Sequence, residues 1–340
     1  MTLGEPPVQT SAGALDPASF RNRFDLMVRA MQQVIKGKEE VIRLVLTAVL
    51  AEGHVLLEDM PGTGKTMLAR TLALTLDAKN ARVQCTPDLL PSDVTGSTII
   101  EMQSSNFVFR PGPLFTSVLL VDEINRATPK TQSALLEAMQ EGGVTVDGVR
   151  HALPKPFVMI ATQNPVELAG TFPLPEAQLD RFLFKLSVGY PDRVAEAQVL
   201  RANERDEAIT RSAPVVSTDE VLEMSRWARG ITVADPVMMY IIDLCQATRT
   251  DPSLLIGAST RASLALMRAA RVLAAAAGRE DVYPDDVRTL LVPVFAHRLV
   301  LTPDAQLRDE TVEKVIERIA GRVKPPLGLG GRTDGGAATA

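Results

Sequence analysis

Over the first half of the chain and a little beyond, short continuous apolar runs alternate with segments of helical period. The runs are HVLLED (54–59), ARVQC (81–85), TSVLLVD (116–122), PFVMIAT (156–162) and FLFKLSV (182–188). Apolar strands separated by helices predict a parallel sheet covered on both faces. The pattern changes once, near Gly189-Tyr190-Pro191-Asp192, and beyond it every segment reads as helix and none as strand. A capping box at Ser217–Glu220 opens one helix. Asp235-Pro236 opens a second, with proline at the first helical position. Residues 259–277 form a third, alanine-rich, which Gly278 is placed to end. Pro284 opens a fourth, and 304–321 reads as a fifth. Both ends of the chain are rich in small residues and proline, with little to bury. The expected organisation is a disordered tail at 1–18, an α/β domain at 19–189, an all-helical domain at 190–323 and a disordered tail at 324–340.

Composition narrows the class. At 340 residues, 46% hydrophobic and 23% charged, the chain has the balance of a soluble globular protein of two domains. Its net charge of -5 argues against bulk electrostatic grip on nucleic acid. Two cysteines, Cys85 and Cys245, exclude a disulfide scaffold and sit in apolar stretches as core residues. His54, His151 and His297 form no ligand-spaced cluster. No uncharged apolar run approaches the ~18 residues of a membrane span. The first basic residue is Arg21, so the start lacks a signal peptide's charged region and the expected location is the cytoplasm. Trp227 and the Met238-Met239 pair read as helix-packing residues.

The first chemical signal is HVLLEDMPGTGKTMLAR, a strand running into Pro61-Gly62-Thr63-Gly64-Lys65-Thr66 and then a helix. Glycines let successive N–H groups converge on phosphate oxygens, and the helix N-terminus adds partial positive charge. Lys65 is expected to reach the β- and γ-phosphates and Thr66 to ligate Mg²⁺. The usual G-x-x-x-x-G-K-[ST] pattern has glycine where this chain has Asp59.

A second strand, Val118 to Val121, ends in adjacent Asp122 and Glu123. Asp122 suits a Mg²⁺-water shell and Glu123 a general base. A third strand ends in Gln163-Asn164-Pro165, where the Asn164 amide can orient the attacking water without adding charge. These strand ends should converge on one crevice. Phosphoryl transfer needs further cations, and Arg181 in LDRF and Arg261 in GASTRA are the candidates. Arg261 is expected to face the phosphate held by Lys65 of its own chain, and Arg181 to act in a neighbouring subunit.

The assembled residues resemble an AAA+ ATPase, specifically of the MoxR family. The matching stretches are VIKGKEEVI (34–42), EDMPGTGKT (58–66), QCTPDLLPSDVTG (84–96), FRPGPLF (109–115), VDEINRATPKTQSALLEAMQEG (121–142), ATQNP (161–165), LPEAQLDRFLFK (174–185) and GASTRA (257–262). The resemblance implies a five-stranded parallel core in the order 5-1-4-3-2 with a helical lid. It also implies an insertion in the second helix, at roughly 97–113, and a hairpin at roughly 143–155. It assigns the Walker A loop to Pro61, Gly62, Thr63, Gly64, Lys65, Thr66 and Met67, and Walker B to Asp122 and Glu123. Sensor 1 falls on Asn164, the arginine finger on Arg181 and sensor 2 on Arg261; Val34, Ile35 and Gly37 flank the adenine. ATP and Mg²⁺ (held by Thr66 and Asp122, partly through water), a hexameric ring and a partner with a von Willebrand factor A domain follow from the same resemblance. So does a chaperone-like remodelling role.

Two alternatives stand beside ATP-driven remodelling: a nucleic-acid motor of the helix-2-insert group, and a nucleotide switch that does not hydrolyse. A DNA-gripping hairpin needs clustered Lys and Arg. Residues 97–113 contain only Arg110 against Glu101, and 143–155 only Arg150 and Lys155 against Asp147. Intact Glu123, Asn164 and Arg181 argue against the switch.

Overall fold

The apolar runs become strands whose alternate residues face opposite ways. The computed structural model describes residues 15–60, 62–102, 105–164, 170–204 and 214–326. In chain order the strands are β1 (Val55–Glu58), β2 (Asn80–Gln84), β3 (Gly96–Glu101), β4 (Asn106–Pro111), β5 (Val118–Asp122), β6 (Gly143–Val146), β7 (Val149–Ala152), β8 (Val158–Gln163), β9 (Phe184–Leu186), β10 (Leu254–Ile256) and β11 (Val300–Leu301). The helices up to β9 are α1 (Pro17–Val34), α2 (Glu39–Leu50), α3 (Lys65–Thr75), α4 (Pro91–Thr95), α5 (Pro129–Glu141) and α6 (Glu176–Leu179). After β9 come α7 (Arg193–Glu204), α8 (Thr218–Arg229), α9 (Asp235–Thr250), α10 (Thr260–Ala276), α11 (Pro284–Thr289), α12 (Leu291–Phe295), α13 (Pro303–Leu307) and α14 (Val312–Arg322).

The central sheet has the order β2-β5-β8-β1-β9, with every pairing parallel. Counted along the chain as core strands one to five, this is the expected 5-1-4-3-2. Period two divides each strand between two cores. Val55, Leu57, Val118, Leu120, Val158 and Ile160 join a cluster with α1, α2, α3 and the C-terminal helices. Leu56, Leu119, Val121, Met159 and Ala161 face a smaller cluster with α4 and α5. His54, just before β1, ties the layers: its Nδ1 accepts from Met159 N–H at 3.0 Å, and its Nε2 lies 3.0 Å from the Met139 carbonyl.

Two hairpins leave this core. β3 and β4 pair antiparallel after α4, and β6 and β7 after α5, in the two places the resemblance implies. Phe109 of the first stacks on His151 of the second, ring centroids 3.8 Å apart.

The C-terminal region is helical, as expected, and α10 is its axis. Ala262, Ala265, Ala269 and Ala270 are fully buried or nearly so, and small side chains let α10 lie close to α1, α2, α8 and α9. Ser217 and Glu220 form the expected capping box, and Gly278 lies at φ +73° just beyond the end of α10.

Three expectations are corrected. The region does contain strands: β10 and β11 pair antiparallel, a ribbon too short to show a period of two. The stretch 304–321 is two helices, because Asp309 adopts φ +53° and Thr311 caps α14 by accepting from Lys314 N–H. Finally, α1 begins at Pro17, where the Asp16 carboxylate accepts from Ser19 N–H at 2.8 Å, so two residues assigned to the tail are helical.

Candidate nucleotide site

All five strands point the same way, so β1, β2, β5 and β8 deliver their following residues to one edge of the sheet. On that edge the glycine-rich loop joins β1 to α3. Gly62 and Gly64 lie at φ +84° and +86°, with open space where a Cβ would stand. The left-handed backbone, not crowding, is what requires glycine there. Lys65 and Thr66 open α3, whose first-turn N–H groups have no partner inside the helix. The Lys65 ammonium donates to the carbonyls of Asp59 at 3.0 Å and Met60 at 2.9 Å, so it lies folded over its own loop. Pro61 lies outside the described residues.

Asp59, the departure from the general pattern, has a defined job. Its carboxylate is buried and accepts from Ser187 Oγ (2.8 Å), Val188 N–H (2.5 Å) and Gly189 N–H (3.0 Å). It thereby ties the entrance of the phosphate loop to the chain leaving β9. That outgoing chain also meets the segment expected to flank adenine. Lys38 Nζ donates to the Tyr190 carbonyl at 2.8 Å, and Gly37, at φ +69°, would place a Cβ 2.9 Å from Ala195. Ile35 is buried, and Val34 and Met67 are half-buried against the larger core.

The acid pair sits beside the loop at the end of β5. Asp122 is buried; its carboxylate accepts from Arg82 Nε at 2.7 Å and from Thr162 Oγ1 at 3.3 Å. Glu123 adopts the left-handed conformation at φ 56°, uncommon for a residue with a side chain. Its carboxylate accepts from Gln84 Nε2 at 2.9 Å and Arg126 Nη1 at 3.1 Å. Asn164 directly follows Gln163, which pairs in register with Glu58, so it stands next to Asp59 on the same edge. The Cys85 thiol, buried below the pair, is pushed up to about 12 by desolvation and then by the charges of Asp122 and Glu123. It stays protonated and unreactive.

Arg82, Gln84, Arg126 and Thr162 were not singled out from the sequence. A signal existed for two of them: Arg82 and Gln84 are two apart on β2, hence on one face, and Gln84 is in register with Asp122.

The two arginines are elsewhere. Arg181 precedes β9, and Leu183 N–H donates to the His54 carbonyl, which puts this turn at the start of β1. From His54 to Asp59, at about 3.3 Å per residue, the sheet separates Arg181 from its own phosphate loop by roughly 16 Å. Arg181 Nη1 donates to the Leu136 carbonyl at 3.1 Å, its buried Nε has no partner, and the side chain faces a cavity of 530 Å³ bordered by Glu137, Glu141 and Gln178. Arg261 does not face Lys65, and that expectation is corrected. Its Nη1 lies 3.9 Å from Asp180 Oδ2, beside Arg181. The cause is the packing of α10, whose N-cap Ser259 donates to the Asp180 carboxylate at 3.0 Å.

The sheet order and the helical C-terminal region define this chain as an AAA+ fold, with the glycine loop and the acid pair together at the carboxyl edge of its sheet. Residues 54–184 match the ATPase family associated with various cellular activities (AAA), and residues 246–319 match the AAA lid domain. The chain is 39% identical to Chaperone MoxR1 of Mycobacterium tuberculosis over 92% of its length and 85% of that protein's. It is 47% identical to protein YeaC of Bacillus subtilis over 88% of its length and 94% of that protein's, and 35% identical to Protein MoxR of Paracoccus denitrificans over 87% and 94%. A crystal structure from Cytophaga hutchinsonii aligns with a TM-score of 0.86 at 37% identity, covering 91% of this chain and 97% of that one. The chain belongs to the MoxR family of AAA+ ATPases.

Asp59→Gly would restore the general loop pattern, yet it should destabilise the protein. It removes a buried carboxylate with three donors, and hydrogen bonds to charged groups contribute about 1.5–3 kcal/mol each. Urea unfolding should show a loss of roughly 2–3 kcal/mol, the freed donors being partly rehydrated. Stability equal to or above that of the parent would contradict the tie.

Proposed function

We propose that this protein hydrolyses ATP in sites shared between neighbouring subunits of a ring, hexameric by resemblance to its family, and uses the cycle to remodel partner proteins. The observation that carries the reading is the split between the two edges of the sheet. One edge has a phosphate loop and two carboxylates, the other two arginines, and Arg181 cannot reach its own loop.

The residues divide the work. Lys65 and the first-turn N–H groups of α3 bind phosphate oxygens. Thr66 and Asp122 suit Mg²⁺, partly through water: a hydroxyl at the helix start and a buried carboxylate are the hard oxygen donors it takes. When bound, that ion offsets charge on the phosphate oxygens. Glu123 takes a proton from the attacking water, and Gln84 and Arg126 hold its carboxylate in place. Asn164 orients that water. Val34, Ile35 and Gly37 flank the base. Arg181, together with Arg261, reaches the phosphate of the neighbouring subunit, where an arginine supplied in trans is worth roughly 10³–10⁵ in rate.

Protein, rather than nucleic acid, as the remodelled partner is supported by the β3–β4 hairpin. Ile100, Met102 and Phe107 are 60%, 95% and 76% exposed, on a hairpin whose one basic residue is Arg110. An apolar, weakly charged hairpin suits a polypeptide and is unsuited to tracking phosphates. A partner with a von Willebrand factor A domain rests on the family resemblance alone, and action in the cytoplasm on a two-cysteine composition that does not suit a disulfide-stapled secreted protein. Among the described residues no helix is long and apolar enough to cross a membrane.

Glu123→Gln should bind ATP as the parent does, because Lys65, Thr66 and Asp122 remain. Phosphate release should fall ~10²–10⁴-fold, the usual worth of a general base. Unchanged release would remove Glu123 from the mechanism and revive the non-hydrolysing alternative. The shared site has its own check. Arg181→Ala and Lys65→Ala proteins, each inactive alone, should regain part of their activity on mixing, because some interfaces pair an intact loop with an intact arginine. A mixture that stays inactive despite confirmed co-assembly would put Arg181 to work within its own chain.

A further inference from the structure

The turn that carries Arg181 is held only in part by its own hydrogen bonds. Its N–H groups are satisfied nearby: Arg181 N–H donates to the Gln178 carbonyl, Phe182 N–H to Leu179, and Leu183 N–H to His54. Three of its carbonyls lie before β9 begins and outside the sheet ladder. Buried carbonyls need donors, and here one side chain more than a hundred residues away reaches all three. Arg298, between α12 and β11, donates through Nη2 to the carbonyls of Asp180 (3.1 Å) and Phe182 (2.5 Å), and through Nη1 to that of Leu183 (3.2 Å). Its Nε donates to Asp180 Oδ1 at 2.8 Å, and Nη1 also reaches the Val294 carbonyl near the end of α12. The Arg298 side chain is 2% exposed.

The same Asp180 carboxylate reaches the other arginine. It accepts from Ser259 Oγ, the cap of α10, and lies 3.9 Å from Arg261 Nη1. Asp180 therefore stands between the two arginines that the proposed function sends to the neighbouring subunit. Beside it, His297 Nε2 lies 3.0 Å from the Phe182 carbonyl and 2.8 Å from Arg298 Nη1. Burial, and then the charge of Arg298, push His297 well below the usual histidine range, so it adds no competing positive charge.

We propose that Arg298 and Asp180 are positioning residues: a buried guanidinium from the helical region and the carboxylate beside the finger hold Arg181 and Arg261 as one rigid unit for delivery to the adjacent subunit's phosphate. This rests on the shared-site reading. An arginine is needed at 298 because only its planar fork supplies five donors in fixed directions, while a lysine keeps the charge and loses the fork. The unit makes the finger's aim depend on the helical region being seated.

Arg298→Lys tests the assignment, and Asp180→Asn repeats it should the lysine variant fail to fold. Affinity for a fluorescent ATP analogue should stay within about twofold of the parent, because the phosphate loop is at the other edge. Turnover should fall about a hundredfold with KM unchanged, the scale of a misplacement near 1 Å. Complementation separates positioning from mere stability. Mixed with Lys65→Ala, the Arg298→Lys subunits still offer an intact loop to an intact finger, and activity should return. Mixed with Arg181→Ala, no interface has a sound finger, and activity should stay low. If the first mixture stays inactive while Arg181→Ala with Lys65→Ala recovers, Arg298 supports its subunit as a whole and the proposal is overturned. Recovery in the second mixture would place the defect in the subunit's own loop and overturn it as well. Failure of the Arg181→Ala and Lys65→Ala mixture itself would bring down the shared site first, and this proposal with it.

Discussion

The central sheet is parallel throughout, and a parallel sheet has two unlike edges. Its carboxyl edge collects the residues that follow each strand, which here are the glycine loop, Asp122, Glu123 and Asn164. Its amino edge collects the residues that precede each strand, among them the turn with Arg181. No rotamer change carries a side chain from one edge to the other. The candidate groups are split by the topology of the chain itself, and under the proposed shared site a second copy would bring the halves together.

The short edge strand β9 links the two halves. It is three residues long, and a carboxylate acts at each end, Asp59 buried and Asp180 partly so. Before it, Asp180 is held by Arg298 from the helical region; after it, Ser187, Val188 and Gly189 are held by Asp59 of the phosphate loop. Hydrogen bonds to buried groups such as Asp59 and Arg298 select one arrangement sharply, because each unmade bond leaves a desolvated group unpaired. The orientation of the helical region against the sheet is thus set at two points, one beside each functional edge. The shared apolar cluster, which joins Phe20 and Phe24 of α1 to α10 and α14, supplies cohesion without that directional detail.

Much of this was readable in the sequence, and the parts that were not have physical reasons. The five core strands announced themselves because strands buried on both faces are apolar throughout. The glycine loop and acid pair, which the structure brings to one edge, were legible because each candidate residue lies within a few positions of a strand end. Their order in the sheet came from family resemblance, since no strand encodes its neighbour. The β10–β11 ribbon was missed because strands of three and two residues carry no period. Arg261 was assigned to the wrong edge because a helix start and a sequence distance do not say where the helix packs; Ser259 on Asp180 decides that. Asp59 reads in the sequence only as a departure from the general motif, because the three donors it holds lie some 130 residues further on. Arg298 gave no signal at all, because most of its partners are backbone carbonyls, which any sequence has, and its one carboxylate partner, Asp180, is 118 residues away.

The claim on which the rest depends is that a subunit's two arginines serve the site of its neighbour. The most direct measurement is a structure of the assembled protein with the Glu123→Gln substitution and bound ATP. The account predicts that the guanidinium groups of Arg181 and Arg261 lie within hydrogen-bonding distance of the γ-phosphate held by the adjacent subunit's Lys65. An Arg261 found on the phosphate held by Lys65 of its own chain would contradict it.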